Sequence, residues 1–355
     1  MQRIATNRTV LWAVMILGGY LTPSPVWAQS IWLSAQEISA LSTRSAAWHE
    51  VLAAADAQMV PPNLSDQDET TNVRVLARAF VFARTGAKIY RDEVVQACQA
   101  AIGTESDGRT LALGRKLAAY VIAADLVGWR DQRFVDWLRL VRRKQLEGQT
   151  LISTHEERPN NWGTHCGASR IAIAAFLDDR EDLNRAAKVF HGWLGDRASH
   201  AGFKFGNDLS WQADPLRPLG VNPRGALKAG QTIDGALPDD MRRGGSFAWP
   251  PRPTDYPWGA LDGAMLQAEL LARQGYPSWQ WEDEALLRAV RFLDGIQWPA
   301  RGDNQWTLYL VNRRYRTEFK VPMSIMPGKN MAWTNWTHAD LAAQAPPRRR
   351  LHQGQ

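Results

Sequence analysis

Apolar residues recur at three- and four-residue steps through most of residues 34–148, and this period is that of amphipathic helices. Leu113, Leu117 and Tyr120 follow the period in one segment, and Phe134 and Leu138 follow it in the next. Short polar breaks separate these segments, at residues 61–63, 103–104 and 128–131. Neighbouring helices joined by short breaks form hairpins, so the pattern predicts a bundle, a solenoid or an α/α toroid.

The second half of the chain continues the helical pattern with one long interruption. The same period predicts helices over residues 161–177, 181–194, 259–273 and 284–296. Residues 201–257 are rich in Gly and Pro and have no helical period, and so long an irregular stretch in a compact domain is usually functional. Residues 306–321 combine helical and alternating spacing, and we predict a helix there. No repeat of fixed length is visible, which disfavours the common solenoids.

The first 28 residues have the three parts of a secretory signal peptide. Arg3 and Arg8 precede a short apolar run over residues 10–20, and Ala28 ends a small-residue cleavage site. The apolar run is too short for a comfortable membrane span, although an uncleaved anchor is the alternative. We therefore expect a periplasmic or secreted protein that begins at Gln29, with no membrane insertion after the signal is removed.

The predicted domain organisation is simple. Residues 1–28 form the signal peptide, residues 29–344 form one α/α-toroid domain, and residues 345–355 form a basic tail. The chain of 355 residues is long enough for one large core. We expect a monomer.

Composition narrows the class of ligand. The whole chain has a net charge of +6, and removal of the two arginines in the signal segment leaves +4, which suits a polyanionic substrate. Seventeen tryptophans are present, and each is either a core residue or a platform for a sugar ring. Export and the lack of a nucleic-acid-binding motif argue against nucleic acid as a partner.

Two cysteines, Cys98 and Cys166, leave a disulfide open, because an oxidising compartment permits one but sequence separation says nothing about distance. No CxxC, HExxH or Cys/His cluster is visible in the sequence, so neither a zinc site nor another cofactor is expected.

A first constellation of polar residues begins a helix. Pro159 stops any preceding helix, Asn160 is a good N-cap, and Asn161 and His165 then lie four residues apart on one face. Free N–H groups and the helix dipole favour an anion at this end. An amide donor beside an imidazole could hold a carboxylate and act as a base. The alternative is that Asn160 only caps the helix and His165 is a buried, hydrogen-bonded core residue.

A second constellation lies in the long irregular segment. The run Asp234-Gly235-Ala236-Leu237-Pro238 is followed by Arg242-Arg243-Gly244, and Tyr256 comes shortly before the next helix. A guanidinium fork is the natural partner of a carboxylate, and a cationic neighbour lowers the pKa of a tyrosine. The alternative is a solvated arginine pair in a loop and a tyrosine that only packs.

Together the two constellations resemble those of the alginate lyase superfamily. These α/α-toroid polysaccharide lyases include the family 5 mannuronate lyases and the family 38 glucuronan lyases, and the resemblance spans roughly residues 70–300. It concerns the order of the motifs and the helical character more than identity. The resemblance implies an all-α fold, specifically an incomplete (α/α) toroid of helical hairpins around a substrate groove.

The resemblance also implies roles for individual residues. Asn161 matches the asparagine that neutralises the uronate carboxylate, and Arg243 matches the arginine of the site. This sequence departs from the family pattern twice: Trp162 stands where the mannuronate lyases have their histidine, so His165 is the candidate, and Tyr256 lies farther from Arg243 than the family tyrosine does. Both departures weigh against mannuronan and slightly favour polymers that contain glucuronate.

The predicted activity is β-elimination at a 4-linked uronic acid, without a metal or organic cofactor. Asn161 and Arg243 would hold the carboxylate, while Tyr256 or His165 removes the C5 proton. Additional contacts with the acidic polysaccharide are expected from nearby polar and aromatic side chains, with Trp211 as a further sugar platform. These substrate-binding candidates are Asn160, Trp162, Arg242, Trp249 and Trp258.

Two other functions stay open from the sequence. An α/α-barrel glycoside hydrolase would need two carboxylates about 5–10 Å apart across the bond, and Asp208, Asp234 and Asp262 are available. A non-catalytic polysaccharide-binding protein of a secretion system would bind without cleaving.

Overall fold

The computed structural model describes residues 30–339, and the predicted signal peptide and basic tail lie outside the described residues. Helices make up 54% of the structure, and strands are nearly absent from the described part, which confirms the all-α class. The α-helices are α1 Ala35–Ala40, α2 Ala46–Asp56, α3 Thr71–Thr85, α4 Lys88–Ala101, α5 Thr110–Leu126, α6 Gln132–Val141, α7 Leu151–Glu157, α8 Asn161–Phe176, α9 Arg180–Leu194, α10 Pro238–Met241, α11 Tyr256–Arg273, α12 Trp281–Gly295, α13 Trp306–Tyr315 and α14 Thr334–Thr337.

The apolar stripes of the sequence form the core of these helices. Leu113, Leu117 and Tyr120 are fully buried on α5, and Phe134 and Leu138 are fully buried on α6. Burial of each such side chain contributes about 1.5–3 kcal/mol relative to exposure. The prediction of core positions from the helical period is confirmed in this part of the chain.

Helices α5, α8 and α11 pack side by side and run in the same direction. The hydroxyl of Ser169 on α8 donates to the carbonyl of Gly114 on α5 at 2.7 Å and accepts from the N–H of Ala118 at 2.9 Å. On the other side of α8, a Cβ at Gly263 would lie 2.4 Å from the carbonyl carbon of Thr164, so only glycine permits this approach. One turn further along both helices, Gln267 lies against Gly167.

The parallel arrangement decides where the helix ends lie. Residue numbers increase together along both contacts of α8, so the N-terminal ends of α8 and α11 lie at the same end of the bundle, with the first turns of α5 beside them. Other helices return the chain: α9 follows α8 after a short connection, and Arg170 near the end of α8 binds Asp182 near the start of α9. The two therefore form an antiparallel hairpin.

The segment between α9 and α11 is largely irregular, as predicted. It contains one short hairpin, in which β1 Leu227–Lys228 pairs antiparallel with β2 Gln231–Thr232. The four-residue α10 and a 3₁₀ turn over Arg242–Gly244 follow. The prediction placed the start of the next helix at Gly259, but α11 begins at Tyr256. Pro257 at its second position fits the first turn of a helix, where the missing N–H is no loss.

The last predicted helix is shorter in the structure than expected. The helix predicted over residues 306–321 ends at Tyr315, because Arg316 takes a left-handed conformation with φ 55°.

Cys98 and Cys166 are both free and buried, so no disulfide joins them. Their thiols lie against the carbonyls of Tyr120 and Thr110 respectively. No helix within residues 30–339 is long and apolar enough to span a membrane.

Candidate functional site

The two polar constellations of the sequence meet in the structure. The side-chain amide of Asn160 donates to Asp239 Oδ2 at 2.9 Å, and the backbone N–H of Asn161 donates to Asp240 Oδ1 at 3.2 Å. All four residues are buried. The short helix α10 is thereby fixed against the first turn of α8, although 79 residues separate the bonded partners.

Asn160 acts mainly as a structural residue in this arrangement. Its side-chain oxygen caps α8 by accepting from the N–H of Trp162 at 3.2 Å, while its amide nitrogen is bonded to Asp239. An N-cap of this kind contributes about 1 kcal/mol. Both ends of the amide are therefore occupied, and contact with a substrate stays a prediction for this residue.

Asn161 and His165 share one face of α8, as the spacing predicted. Asn161 lies against Gly259 of α11, where an added Cβ would be 3.9 Å from its Nδ2 atom. Both residues are buried, and Asn161 Oδ1 and His165 Nδ1 lack a hydrogen-bond partner. Unpaired polar atoms of this kind are costly inside a protein, and a bound water, a ligand or a catalytic role accounts for them.

Burial lowers the pKa of His165 well below its usual value, and the charges of Arg115, Lys116 and Lys329 lower the pKa further. The imidazole is therefore uncharged at neutral pH. An uncharged imidazole with a free nitrogen can accept a proton, as a general base does, but the lowered pKa makes it a weaker base than an ordinary histidine.

Arg243 and Tyr256 form a direct pair. The guanidinium donates to the tyrosine hydroxyl at 3.0 Å through Nη2, and its central carbon lies 4.1 Å from the centre of the ring. Tyr256 is the first residue of α11 and is partly exposed, with 37% of its surface accessible. Because the hydroxyl oxygen accepts from Arg243, its own proton is free to be donated to another group.

Arg242 faces differently from its neighbour. Its Nε donates to Asp239 Oδ1 at 2.7 Å, so the guanidinium belongs to the Asn160–Asp239 contact. It also lines a cleft of about 300 Å³ together with Arg158, Lys204 and Phe205. This cleft lies on the Asp239 side of α10.

Asp240 is a residue that the sequence analysis missed. It is fully buried between Asn161 and the arginine pair, and its Oδ2 atom has no hydrogen-bond partner. Burial raises its pKa well above the usual value, as does the neighbouring Asp239, while the N–H of Asn161 and the charge of Arg243 act in the opposite direction. Two consecutive acids directly before an arginine pair were the signal in the sequence.

His165 of α8 and the first two turns of α11 border a cavity of about 750 Å³, whose lining does not include Asn161, Arg243 or Tyr256. This size lies within the range of about 300–1,000 Å³ that is usual for ligand sites. Its lining combines cations, acids and indole rings. Among the lining residues are Arg115, His165, Trp258, Asp262, Arg301, Asp303 and Lys329.

The tryptophans divide between core and surface. Trp211 is buried and donates to the carbonyl of Gly245 at 3.0 Å, so it is a core residue and not the expected platform. Trp258 is also mostly buried and donates to the carbonyl of Trp298 at 2.9 Å, yet it contributes to the cavity wall. Trp162 packs under Arg158. Trp249 is 40% exposed and lines a second cleft of about 500 Å³.

The three acids considered for a hydrolase are also separated by the structure. Asp234 is ion-paired with Arg288 at 2.5 Å, and Asp208 accepts from the hydroxyl of Ser246 at 2.9 Å. Only Asp262 lines the large cavity, where Asp303 is a second carboxylate.

No protein-family model matches the chain, and no curated protein matches it. Similarity to proteins of known activity therefore adds no support to any of these assignments.

Proposed function

We propose that the protein is a polysaccharide lyase that cleaves a polymer containing 4-linked uronic acid by β-elimination. The proposal rests on two contacts of Asn161, one with Asp240, three residues before Arg243, and one with Gly259, three residues after Tyr256. These residue types came from two separate segments of the sequence, and the contacts of Asp240 and Gly259 bring the segments together.

The helix arrangement supports an incomplete (α/α) toroid. In such a fold the inner helices run parallel to one another, and outer helices return the chain. Helices α5, α8 and α11 meet the first condition through the contacts of Ser169 and Gly263, and the α8–α9 hairpin meets the second. Their N-terminal ends lie together, and the positive ends of the helix dipoles favour the carboxylate of a sugar acid.

The proposed reaction needs a base, an acid and a positive environment. A base removes the C5 proton of the uronate, the electron pair forms the C4–C5 double bond, and the C4–O4 bond breaks. The leaving O4 takes up a proton, and the products are a new chain end and a 4,5-unsaturated uronate. His165 suits the base because it is uncharged and has an unpaired nitrogen. Tyr256 suits the acid because Arg243 leaves its proton available.

Individual cations of the cavity could hold an acidic substrate. Arg115, Arg301 and Lys329 line it beside three aspartates, Asp255, Asp262 and Asp303, and a cation placed next to the uronate would stabilise the developing negative charge on the sugar. The amide of Asn161 adds a hydrogen-bonding group beside α11.

A panel of polymers tests the proposal. Mannuronan, guluronan, glucuronan and a glucuronate-bearing heteropolysaccharide are incubated with the protein, and the ultraviolet absorbance of the unsaturated uronate is followed. We expect absorbance to rise with at least one of the glucuronate polymers and to persist after EDTA treatment. Absence of absorbance with all four polymers, at protein concentrations where binding is detected, would overturn the proposal.

A glycoside hydrolase is the second candidate, because Asp262 and Asp303 line one cavity. Burial raises the pKa of Asp262 well above its usual value, and Asp303 raises it further, while Arg115 and Lys329 oppose the rise. A protonated carboxyl beside a second carboxyl is the donor set of a glycosidase. Release of reducing ends without ultraviolet absorbance would favour this alternative.

We also propose, on the sequence alone, that the protein is exported. Mass analysis of the protein recovered from the periplasm is expected to give a chain that starts at Gln29. A cytosolic chain that retains Met1 would contradict export.

A further inference from the structure

Arg115 is half-buried and differs from the buried arginines Arg170 and Arg142 because, within the described residues, no ion pair holds it. Arg170 binds Asp182 at 2.6 Å and Glu156 at 2.8 Å, and Arg142 binds Asp179 at 2.6 Å and Asp182 at 2.8 Å. The Nε atom of Arg115 is buried and has no hydrogen-bond partner within residues 30–339. Because Arg115 lines the 750 Å³ cavity and its fork is not held by a carboxylate, it is placed to bind an anionic ligand there.

Two more unpaired atoms border the same space. Asp262 Oδ1 and His165 Nδ1 are buried without hydrogen-bond partners, and both residues line the 750 Å³ cavity with Arg115. The three come from α5, α11 and α8, which are the three helices that run parallel. Three orphaned polar groups from three helices around one cavity are what a polar ligand would satisfy.

The remaining cations near the site have other partners or are exposed. Arg243 is stacked on Tyr256 and donates to its hydroxyl. Lys329 is bound to Asp68 at 2.7 Å, and Arg301 is exposed. Among the described residues, Arg115 is thus the half-buried cation of the cavity that is not held by an ion pair.

We infer that Arg115 binds the carboxylate of the uronate ring held in this cavity, that Asp262 hydrogen-bonds to the same ring, and that Arg243 is a positioning residue for Tyr256. The inference deepens the proposed function, since the uronate as ligand rests on it. It also reassigns the arginine that the sequence favoured as the carboxylate partner.

The state of Asp262 agrees with this assignment. Burial raises the pKa of Asp262 well above its usual value, and Asp303 adds to the rise. An uncharged carboxyl would not repel the carboxylate of the ligand, and it could donate a hydrogen bond to the ring. Arg115 and Lys329 act in the opposite direction on this pKa, as cations near the group must.

Binding is the direct test, because it does not require turnover. The probes are a saturated glucuronate oligosaccharide and its carboxyl-reduced counterpart, and calorimetry gives both dissociation constants for the full chain carrying Tyr256→Phe, which slows cleavage. We expect the acidic probe to bind more tightly. Adding Arg115→Gln should weaken the acidic probe at least about 10-fold and leave the neutral probe nearly unchanged.

Two further variants serve as controls for the binding test. Arg109→Gln removes a cation six residues earlier in the chain, at the N-cap of the same helix, where it is exposed and paired with Glu147, and should leave both constants unchanged. Arg115→Lys keeps the charge without the fork and should retain part of the preference. If Arg115→Gln keeps the full preference for the acidic probe, or if the Tyr256→Phe chain has no preference, the assignment of Arg115 is wrong.

The role of Arg243 has its own readout. Arg243→Lys should lower kcat with little change in the dissociation constant of the acidic probe, whereas Arg115→Gln should raise KM and that constant together. An equal loss of acidic-probe binding in Arg243→Lys would contradict the positioning role. Should no unsaturated product form with any polymer while Arg115-dependent binding persists, the lyase activity fails and the binding assignment stands.

Discussion

Helix α8 carries two regions of buried polar residues that are built in opposite ways. Around Arg170, in the second half of the helix, the buried charges are paired, and Asp182 joins Arg170 to Arg142. Around His165, one turn from the start, buried polar atoms of the histidine and of Asp262 have no partner in the described structure. A saturated network holds helices together, whereas an unsaturated one keeps its hydrogen-bonding capacity for a ligand.

The acids of the two regions show the same contrast electrostatically. Burial acts to raise the pKa of Asp179, but the N–H of Asp182 and the guanidinium of Arg142 outweigh it, and the net pKa is lowered. Burial raises the pKa of Asp262 and of Asp240, and the cations near them among the described residues reduce this rise without forming an ion pair. Groups poised in this way are typical of functional sites.

The largest predicted difference between the two regions is expected from Tyr256→Phe, which should lower activity and leave stability nearly unchanged. The change removes one oxygen near the N-terminal ends of α8 and α11 and leaves the ring under Arg243. We expect kcat to fall by about 10²–10⁴ with KM and the unfolding midpoint nearly unchanged. Initial rates of ultraviolet absorbance on the best polymer measure the effect. A variant within threefold of the natural rate would assign the acid step to another group, with His165 the first to be tested.

Substitutions in the paired network around Arg170 should instead lower the free energy of unfolding. Arg170→Met leaves Asp182 and Glu156 with fewer partners in a buried position, and the free energy of unfolding should fall by about 3–5 kcal/mol. Arg115→Met is the control, because it removes a half-buried arginine without a bonded acid, and its unfolding free energy should change by less than about 1 kcal/mol. Urea titrations followed by tryptophan fluorescence compare the two. Equal losses would mean that Arg115 also has a structural duty.

Much of the fold could be predicted because local signals were strong. Asn160 and Pro159 indicated the start of α8, and the apolar period of α5 indicated its buried face. The ends of helices were harder. Nothing local showed that Arg316 would leave the helix in a left-handed turn, and Pro-rich sequence before Gly259 concealed the first turn of α11.

The site was predictable only as far as its residues lie close in sequence. The spacing of Asn161 and His165 was sufficient, because four residues make one turn of helix. The contacts of Asp239 and Asp240 with Asn160 and Asn161 depend on tertiary packing, and so does the presence of Arg115 and Asp262 around one cavity. A pair of cations inside the apolar stretch of α5 was the one visible hint of Arg115.

A smaller change in the free energy of unfolding distinguishes the two roles of Asn160, which are the capping of α8 and the contact with α10. Asn160→Ala should lower the free energy of unfolding by about 1–2 kcal/mol, because α8 loses its cap and Asp239 loses a donor. Asn160→Ser keeps a capping oxygen and loses only the contact with Asp239, so it should recover about half of that loss. Urea denaturation measures both. A Ser variant as unstable as the Ala variant would show that the bond to Asp239, and not the cap, is the important one.

The smallest predicted effect is the pH dependence that His165 adds to stability. Burial, followed by Arg115, Lys116 and Lys329, lowers its pKa in the folded protein, so the folded state stays unprotonated while the unfolded chain takes up a proton as the pH falls through about 6.5. The unfolded state then binds more protons, and His165 costs up to about 1.4 kcal/mol of stability per pH unit below 6.5, until its lowered pKa is reached. His165→Gln removes this contribution. The difference in unfolding free energy between the natural protein and the variant should be constant above pH 7 and should change in favour of the variant between pH 6.5 and 5. Because other buried histidines titrate in both proteins, only this difference is diagnostic. A difference that does not depend on pH would mean that the imidazole is solvated or paired when folded, and that His165 lacks the free nitrogen that a base needs.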